Sequence, residues 1–158
     1  MELILKEAYD RAGKEHKKVF VIFQASWCLW CHKMDSSMND ESCRKYFDDN
    51  YITCHLTVDE TAGKEWLENP GAKEFRKKYN GEDVGIPFWL IFDQDALLLA
   101  DSRMTPDGAG LEVKGDNSGC PASKSEVAYF IKVLGNTSGL KASALSVIGK
   151  RFRKNAVN

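Results

Sequence analysis

The chain has 158 residues, 43% of them hydrophobic and 28% charged, with only four prolines; it can bury a real core and is not a disordered, collagenous or low-complexity sequence. Lys and Arg number 22 against 23 Asp and Glu, a net charge of -1, which excludes the bulk electrostatics of a nucleic-acid or membrane-surface binder. Five cysteines are too few for a disulfide-stapled mini-scaffold and odd in number, so at least one thiol is free or paired outside the chain.

Residues 1–18 read as a charged amphipathic stretch rather than the basic start and apolar run of a secretory leader, and no run approaches the ~18 apolar residues of a bilayer-spanning helix. Ile4, Leu5, Ala8, Tyr9 and Ala12 recur at helical spacing before Gly13, predicting an opening helix over 2–12. The continuous run Val19-Phe20-Val21-Ile22-Phe23 suits a central strand covered on both faces. Ser26-Trp27-Cys28 turns the chain into a helix carrying Cys31, Met34 and Met38, and a further helix holds Cys43, Tyr46 and Phe47. Over 51–58, Ile52, Cys54, Leu56 and Val58 alternate with polar residues, the period of a strand with one buried face.

Pro70-Gly71 breaks the next stretch into a short piece around Trp66-Leu67 and a helix with Ala72, Phe75 and Tyr79 on one face. Residues 86–92 read as a buried strand. Asp93-Gln94-Asp95 turns it into a fourth, antiparallel strand over 96–100. Residues 103–121 are rich in Gly, Asp, Asn and Pro and form a long loop. Ser123 and Glu126 make a capping-box pattern ahead of Val127, Phe130, Ile131 and Leu134, and a last helix runs from Leu140 through Ala144, Ile148 and Phe152. The basic residues Lys150, Arg151, Arg153 and Lys154 at its end read as a solvated cluster complementing the helix dipole. The order α-β-α-α-β-α-α-β-β-α-α predicts one mixed α/β sheet with helices on both faces.

The chemistry concentrates at Trp27-Cys28-Leu29-Trp30-Cys31-His32, where a buried strand gives way to a helix. Free N–H groups and the positive dipole end at a helix N-terminus favour a thiolate, lowering a cysteine pKa from ~8.5 toward ~7 or below. Cys28 receives that activation, and Cys31, one turn further on the same face, can bridge to it. Such a pair attacks a substrate disulfide through Cys28 and resolves the mixed disulfide through Cys31. His32 lies four residues after Cys28; its imidazolium is a candidate for tuning the thiolate, against the plainer reading of a solvated helix histidine.

With Gly85-Ile86-Pro87 at the head of the third strand, the chain resembles the thioredoxin superfamily, in particular the bacterial thioredoxin-like thiol:disulfide oxidoreductases. The resemblance covers roughly residues 5–135. It implies a three-layer α/β/α thioredoxin-like fold with a mixed central sheet of about four strands, in a single domain over 1–158 whose segment 138–154 is a C-terminal helical extension. It further implies that Pro87 is cis and faces the cysteine pair, that Ile86 and Pro87 position substrate, and that Trp27 shields the sulfur; Trp30, an apolar residue between the cysteines, is read as adding an apolar patch for unfolded clients. Gly119-Cys120-Pro121 before a capped helix resembles a subgroup of bacterial envelope proteins, which implies the periplasm or envelope; the absence of a leader in this sequence leaves the cytoplasm as the alternative. The family's buried aspartate, six residues before the first cysteine, is replaced by Ile22, so Cys31 is expected to lose its proton more slowly. Leu29-Trp30 replaces the Gly-Pro of thioredoxin between the two cysteines.

The expected function is disulfide exchange with protein substrates, reductive or isomerising. No bound cofactor is needed, since the cysteines carry the electrons, and a redox partner protein must reset the pair. The chain is expected to be monomeric. Two other classes share these residues: Cys-x-x-Cys-His is also the attachment motif of a c-type haem electron carrier, and the fold without catalysis would make a binding module. Zinc would find three donors in Cys28, Cys31 and His32 but no second ligand pair. Cys43 and Cys54 are expected in the core; Cys120 is either exposed and able to dimerise or buried under the following helix, the second being preferred.

Overall fold

Helix α1 (Glu2–Glu15) runs past Gly13, because one interior glycine costs a helix only about 1 kcal/mol. It ends where His16 takes a left-handed conformation, φ 55°, and Lys17 N–H bonds the Ala12 carbonyl at 3.0 Å. In this computed structural model residues 1–113 and 115–156 are described; Lys114, inside the predicted loop, and the last two residues lie outside them. The chain continues through β1 (Lys18–Gln24), α2 (Leu29–Met38), α3 (Arg44–Asn50), β2 (Tyr51–Thr57), α4 (Ala72–Lys78), β3 (Phe88–Phe92), β4 (Leu98–Asp101), α5 (Lys124–Thr137) and α6 (Ala142–Arg153). The piece around Trp66-Leu67 is a single 3-10 turn, Glu65–Leu67.

The sheet order is β2-β1-β3-β4, with β1 parallel to β2 and antiparallel to β3, and β4 an antiparallel edge. A three-layer thioredoxin-like α/β fold results. Strand parity decides which residues meet which helices. Val19, Val21 and Phe23 of β1, Leu90 and Phe92 of β3, and Ile52, Cys54 and Leu56 of β2 pack on Leu5, Ala8 and Ala12 of α1 and Ala72 of α4. On the other face Phe20, Ile22, Trp89 and Ile91 meet Met34 of α2, Phe47 of α3, Phe130 of α5 and Phe152 of α6.

Three differences from the sequence reading have physical causes. The hairpin is wider than Asp93-Gln94-Asp95: Ala96 takes φ 63°, and the Asp93 carboxylate accepts from the N–H groups of Asp95 and Leu97, both at 2.9 Å. The turn therefore occupies the first positions assigned to the fourth strand, which begins at Leu98. Pro87 precedes β3 rather than opening it, since pairing with β1 starts at Phe88. The basic helix end is docked at its arginines and solvated at its lysines: Arg151 Nε pairs with Asp40 Oδ2 at 2.7 Å and the Arg153 guanidinium donates to the Ala122 carbonyl, while Lys150 and Lys154 are exposed as expected. The Asp40 carboxyl is held far below its ordinary range, first by hydrogen bonds from Ser42 and then by Arg151.

The capping box at α5 forms as its pattern predicts, Ser123 Oγ accepting from Glu126 N–H at 3.2 Å and Glu126 Oε2 from Ser123 N–H at 2.9 Å. The 103–121 loop is pinched at its base. Arg103 and Asn117 form an isolated antiparallel bridge, Met104 N–H bonds the Asp116 carbonyl at 2.8 Å, and Ser118 N–H bonds that of Ser102 at 2.7 Å.

Candidate functional site

The site forms where β1, buried from Val19 to Phe23, ends and the chain turns toward α2. Ala25, Ser26 and Trp27 make a turn closed by Cys28 N–H to the Ala25 carbonyl at 3.1 Å. Cys28 then caps α2 with extended backbone angles, and its Sγ accepts the N–H of Cys31 at 3.1 Å. A sulfur in the place of the usual capping oxygen satisfies one of the orphan donors of the helix start, and the same donor stabilises negative charge on that sulfur. Cys28 and Cys31 are joined as a disulfide with their Cα atoms 5.2 Å apart, inside the range a disulfide spans. Each residue is only 3% exposed.

Facing the pair, the Ile86–Pro87 peptide bond is cis. The Ile86 carbonyl oxygen stands 3.6 Å from Cys28 Sγ, so in the dithiol form the Cys28 S–H has an acceptor within reach. Ile86 packs against Ala25, Cys28 and Cys31. Around this floor Trp27, Leu29 and Trp30 are left 54%, 64% and 43% exposed, more large apolar surface than a helix start needs for its own packing. Trp27 is held by Nε1–H to the Asp59 carbonyl at 2.8 Å, and Lys33 Nζ lies 4.2 Å from the centre of the Trp30 ring.

His32 is exposed, and its Nε2–H donates to the Ser26 carbonyl at 2.9 Å. Among the described residues no hydrogen bond joins it to the Cys28 sulfur. The site of the absent aspartate, Ile22, is buried and apolar. Its register partner on β2 is His55, which meets Asp35 of α2 at 2.7 Å.

Sequence reading missed the groups that hold the two ends of the site. Glu60, just past β2, accepts from Ser26 N–H at 2.6 Å and Ser26 Oγ–H at 2.7 Å, and those bonds keep its carboxyl below the ordinary glutamate range. Asp59, whose carbonyl holds Trp27, is paired through its carboxylate with the buried Arg76 of α4 at 2.7 Å. Asn117, near the end of the long loop, donates to the carbonyls of Gly85 and Pro87 at 2.8 and 3.2 Å. The only sequence signal was that Asp59 and Glu60 follow the end of β2; Asn117, late in the long loop, carried none, and which segments meet is a matter of topology.

The remaining cysteines lie apart. Cys43, Cys54 and Cys120 are unpaired and buried. Burial raises the Cys43 thiol and pushes Cys54 and Cys120 up to about 12. Cys120 accepts from Asn155 Nδ2 at 3.5 Å beneath the C-terminal turn, so the exposed, dimerising alternative does not hold. The haem alternative is disfavoured by geometry: the motif's two sulfurs are bonded to each other and sit in a small buried cluster with Ala25, against which Ile86 packs.

Fold and site together define a thioredoxin-fold protein with a dithiol/disulfide centre at a helix N-terminus. The Thioredoxin-like family model matches residues 2–94, and the chain belongs to that family. It is similar to the disulfide bond reductase DsbH of Chlamydia pneumoniae, 27% identical over 109 residues that cover 68% of this chain and 64% of that protein. The chain spans less than two thirds of the length of the curated relatives it matches. Among solved structures, the disulphide isomerase of Xylella fastidiosa Temecula1 superposes with a TM-score of 0.51 at 18% identity, over 61% of this chain and 69% of that one. The C-terminal domain of Neisseria meningitidis DsbD in its reduced form gives 0.50 at 20% identity, over 87% and 96%. At these identities the two structures speak for the fold.

Proposed function

We propose that the chain is a thiol–disulfide oxidoreductase acting on protein disulfides, with Cys28 as the attacking thiol and Cys31 as the resolving one. The observation that carries this reading is the Cys28–Cys31 disulfide at the start of α2, its Cys28 sulfur directly opposite the carbonyl before a cis proline. In the reductive direction the Cys28 thiolate attacks one sulfur of a substrate disulfide, forming a mixed disulfide and expelling the other sulfur as thiolate. The Cys31 thiolate then attacks Cys28 Sγ, closing the internal disulfide and releasing the second substrate thiolate. Two electrons pass from the pair to the substrate, and a dithiol protein must return them before the next turnover. Ile86 and Pro87 position the substrate backbone, while Trp27 and Trp30 offer apolar surface to an unfolded client.

Reduction is the favoured direction because the chlamydial relative is named a disulfide bond reductase. The bacterial envelope is the proposed compartment, supported by the resemblance around Gly119-Cys120-Pro121 and by the persistence of substrate disulfides outside the cytosol. The helical extension after residue 138 belongs to the same domain, since Ile148 and Phe152 share a core with Phe20 and Phe130. Among the described residues no helix is long and apolar enough to cross a membrane.

The test is reduction of insulin disulfides by the dithiol form, with Cys28→Ser as control, together with equilibration of the pair against glutathione. Activity that disappears in Cys28→Ser supports the reading; equal activity in both proteins, or none in the wild type, overturns it. A potential well above that of the glutathione pool would reverse the proposed direction.

A further inference from the structure

The loop over 103–121 returns to the cysteine pair at one point. Asn117 lies across the cis-proline turn, its two Nδ2 hydrogens directed to the carbonyl before Ile86 and the carbonyl of Pro87, at 2.8 and 3.2 Å, while its Oδ1 accepts Gly119 N–H at 3.1 Å. Both donors and the acceptor are used, so the carboxamide has one orientation. Its own backbone is anchored on either side by the Arg103 bridge and by Ser118, whose N–H and Oγ–H both bond the Ser102 carbonyl. Gly119, at φ 49°, approaches so closely that a Cβ there would stand 3.3 Å from the Pro87 carbonyl oxygen, and its own carbonyl accepts from the indole of Trp89 at 3.0 Å.

This arrangement leaves the middle residue untouched. The Ile86 carbonyl faces Cys28 Sγ, and among the described residues its N–H has no hydrogen-bond partner. A backbone segment with one free donor and one acceptor shared only with the weak S–H of Cys28, held rigidly on both sides, is suited to pair with an extended peptide. We infer that Asn117 is a positioning residue for protein substrates: it holds the Gly85 and Pro87 carbonyls away from the substrate and presents Ile86 to it. The long loop is thus the support of the substrate site rather than a tolerated insertion. The inference rests on the oxidoreductase reading and adds to it a residue that never touches the reacting sulfurs.

Asn117→Ala removes the donors, and Asn117→Asp keeps the acceptor for Gly119 while turning a carboxylate oxygen toward the two carbonyls. The expected result is a KM for insulin raised about fivefold to twentyfold in Asn117→Ala and further in Asn117→Asp, with kcat, the reaction with the small disulfide 5,5'-dithiobis(2-nitrobenzoate) and the reduction potential held close to wild type. An unchanged KM, or an equal loss toward insulin and the small disulfide, overturns the inference. Wild type inert toward insulin overturns the oxidoreductase reading and this inference together; active wild type with unaffected variants overturns this inference alone. Should both variants unfold, a Cys31→Ser protein trapped as a mixed disulfide with a peptide keeps the question open to measurement. The Asn117 side-chain amide resonances should shift on trapping, and unmoved resonances count against the inference.

Discussion

The Cys28 sulfur and the Ile86 carbonyl oxygen, 58 residues apart in sequence, stand 3.6 Å apart in space. The separation juxtaposes a sulfur stabilised by the start of α2 and the backbone that would bind a substrate strand. A mixed disulfide formed at Cys28 therefore begins beside that backbone. Cys31, lodged behind Cys28 on the same helix, is placed to attack it.

The two cysteines should consequently fail in different ways. Cys28→Ser should lower disulfide exchange on the order of a thousandfold or more, since the nucleophile is gone. Cys31→Ser should still attack but accumulate a mixed disulfide with the client, visible as a mass increase on a non-reducing gel or by mass spectrometry. Trapping by Cys28→Ser in place of Cys31→Ser would reverse the assigned roles.

His32 should contribute little charge to the thiolate. Its ring is exposed and engaged with the Ser26 carbonyl, and solvent screens an imidazolium at such a position, whereas the Cys31 N–H is directed at the sulfur itself. His32→Ala should move the Cys28 thiol pKa by no more than about a few tenths, read from thiolate absorbance near 240 nm. A larger drop in thiolate at neutral pH would restore the imidazole as the tuning group.

Acid should loosen the turn that carries Trp27 and Cys28. The hydrogen bonds from Ser26 depress the Glu60 carboxyl below its ordinary value of 4.5. A group with a lowered folded pKa contributes stability that is present above its unfolded value and lost as the pH falls through the folded one. The protection of the Ser26 amide, the intrinsic exchange rate at each pH over the observed one, should therefore fall as the pH drops below 4.5, and Glu60→Gln should abolish that dependence. A Glu60 carboxyl that titrates at 4.5 in an NMR experiment would refute the grip.

Only one thiol should react quickly in the reduced native protein. Desolvation raises Cys43 and carries Cys54 and Cys120 up to about 12, whereas the Cys28 sulfur accepts the Cys31 N–H at the start of α2. Iodoacetamide at neutral pH should label Cys28 first, and the three core thiols should appear only after unfolding in guanidinium. Diamide should give no covalent dimer; a dimer lost in Cys120→Ala would show that this thiol reaches the surface.

The C-terminal helix should be part of the cooperative core. Phe152 is fully buried, 4.9 Å from Phe130 between ring centres, and Phe152→Ala should cost about 3–5 kcal/mol in denaturant unfolding. A loss below about 1 kcal/mol would mean that α6 can detach without unfolding the sheet.

The sequence by itself determined the elements and the chemistry at one end of the site. Continuous apolar residues 19–23, alternation over 51–58, the Ser123/Glu126 box and a cysteine pair after a buried strand are local patterns, because periodicity and capping act over a few residues. The cis-proline role came from resemblance, not from spacing. Only the tertiary structure decided that Ile86 faces Cys28, that Glu60 grips Ser26, that Asn117 braces the cis-proline turn and that Arg151 reaches Asp40. Each joins segments distant in the chain. Those contacts depend on sheet order and helix packing, which bring strand ends together for the sake of burying the core, and a single polar residue in a loop carries no mark of the partner that burial will supply.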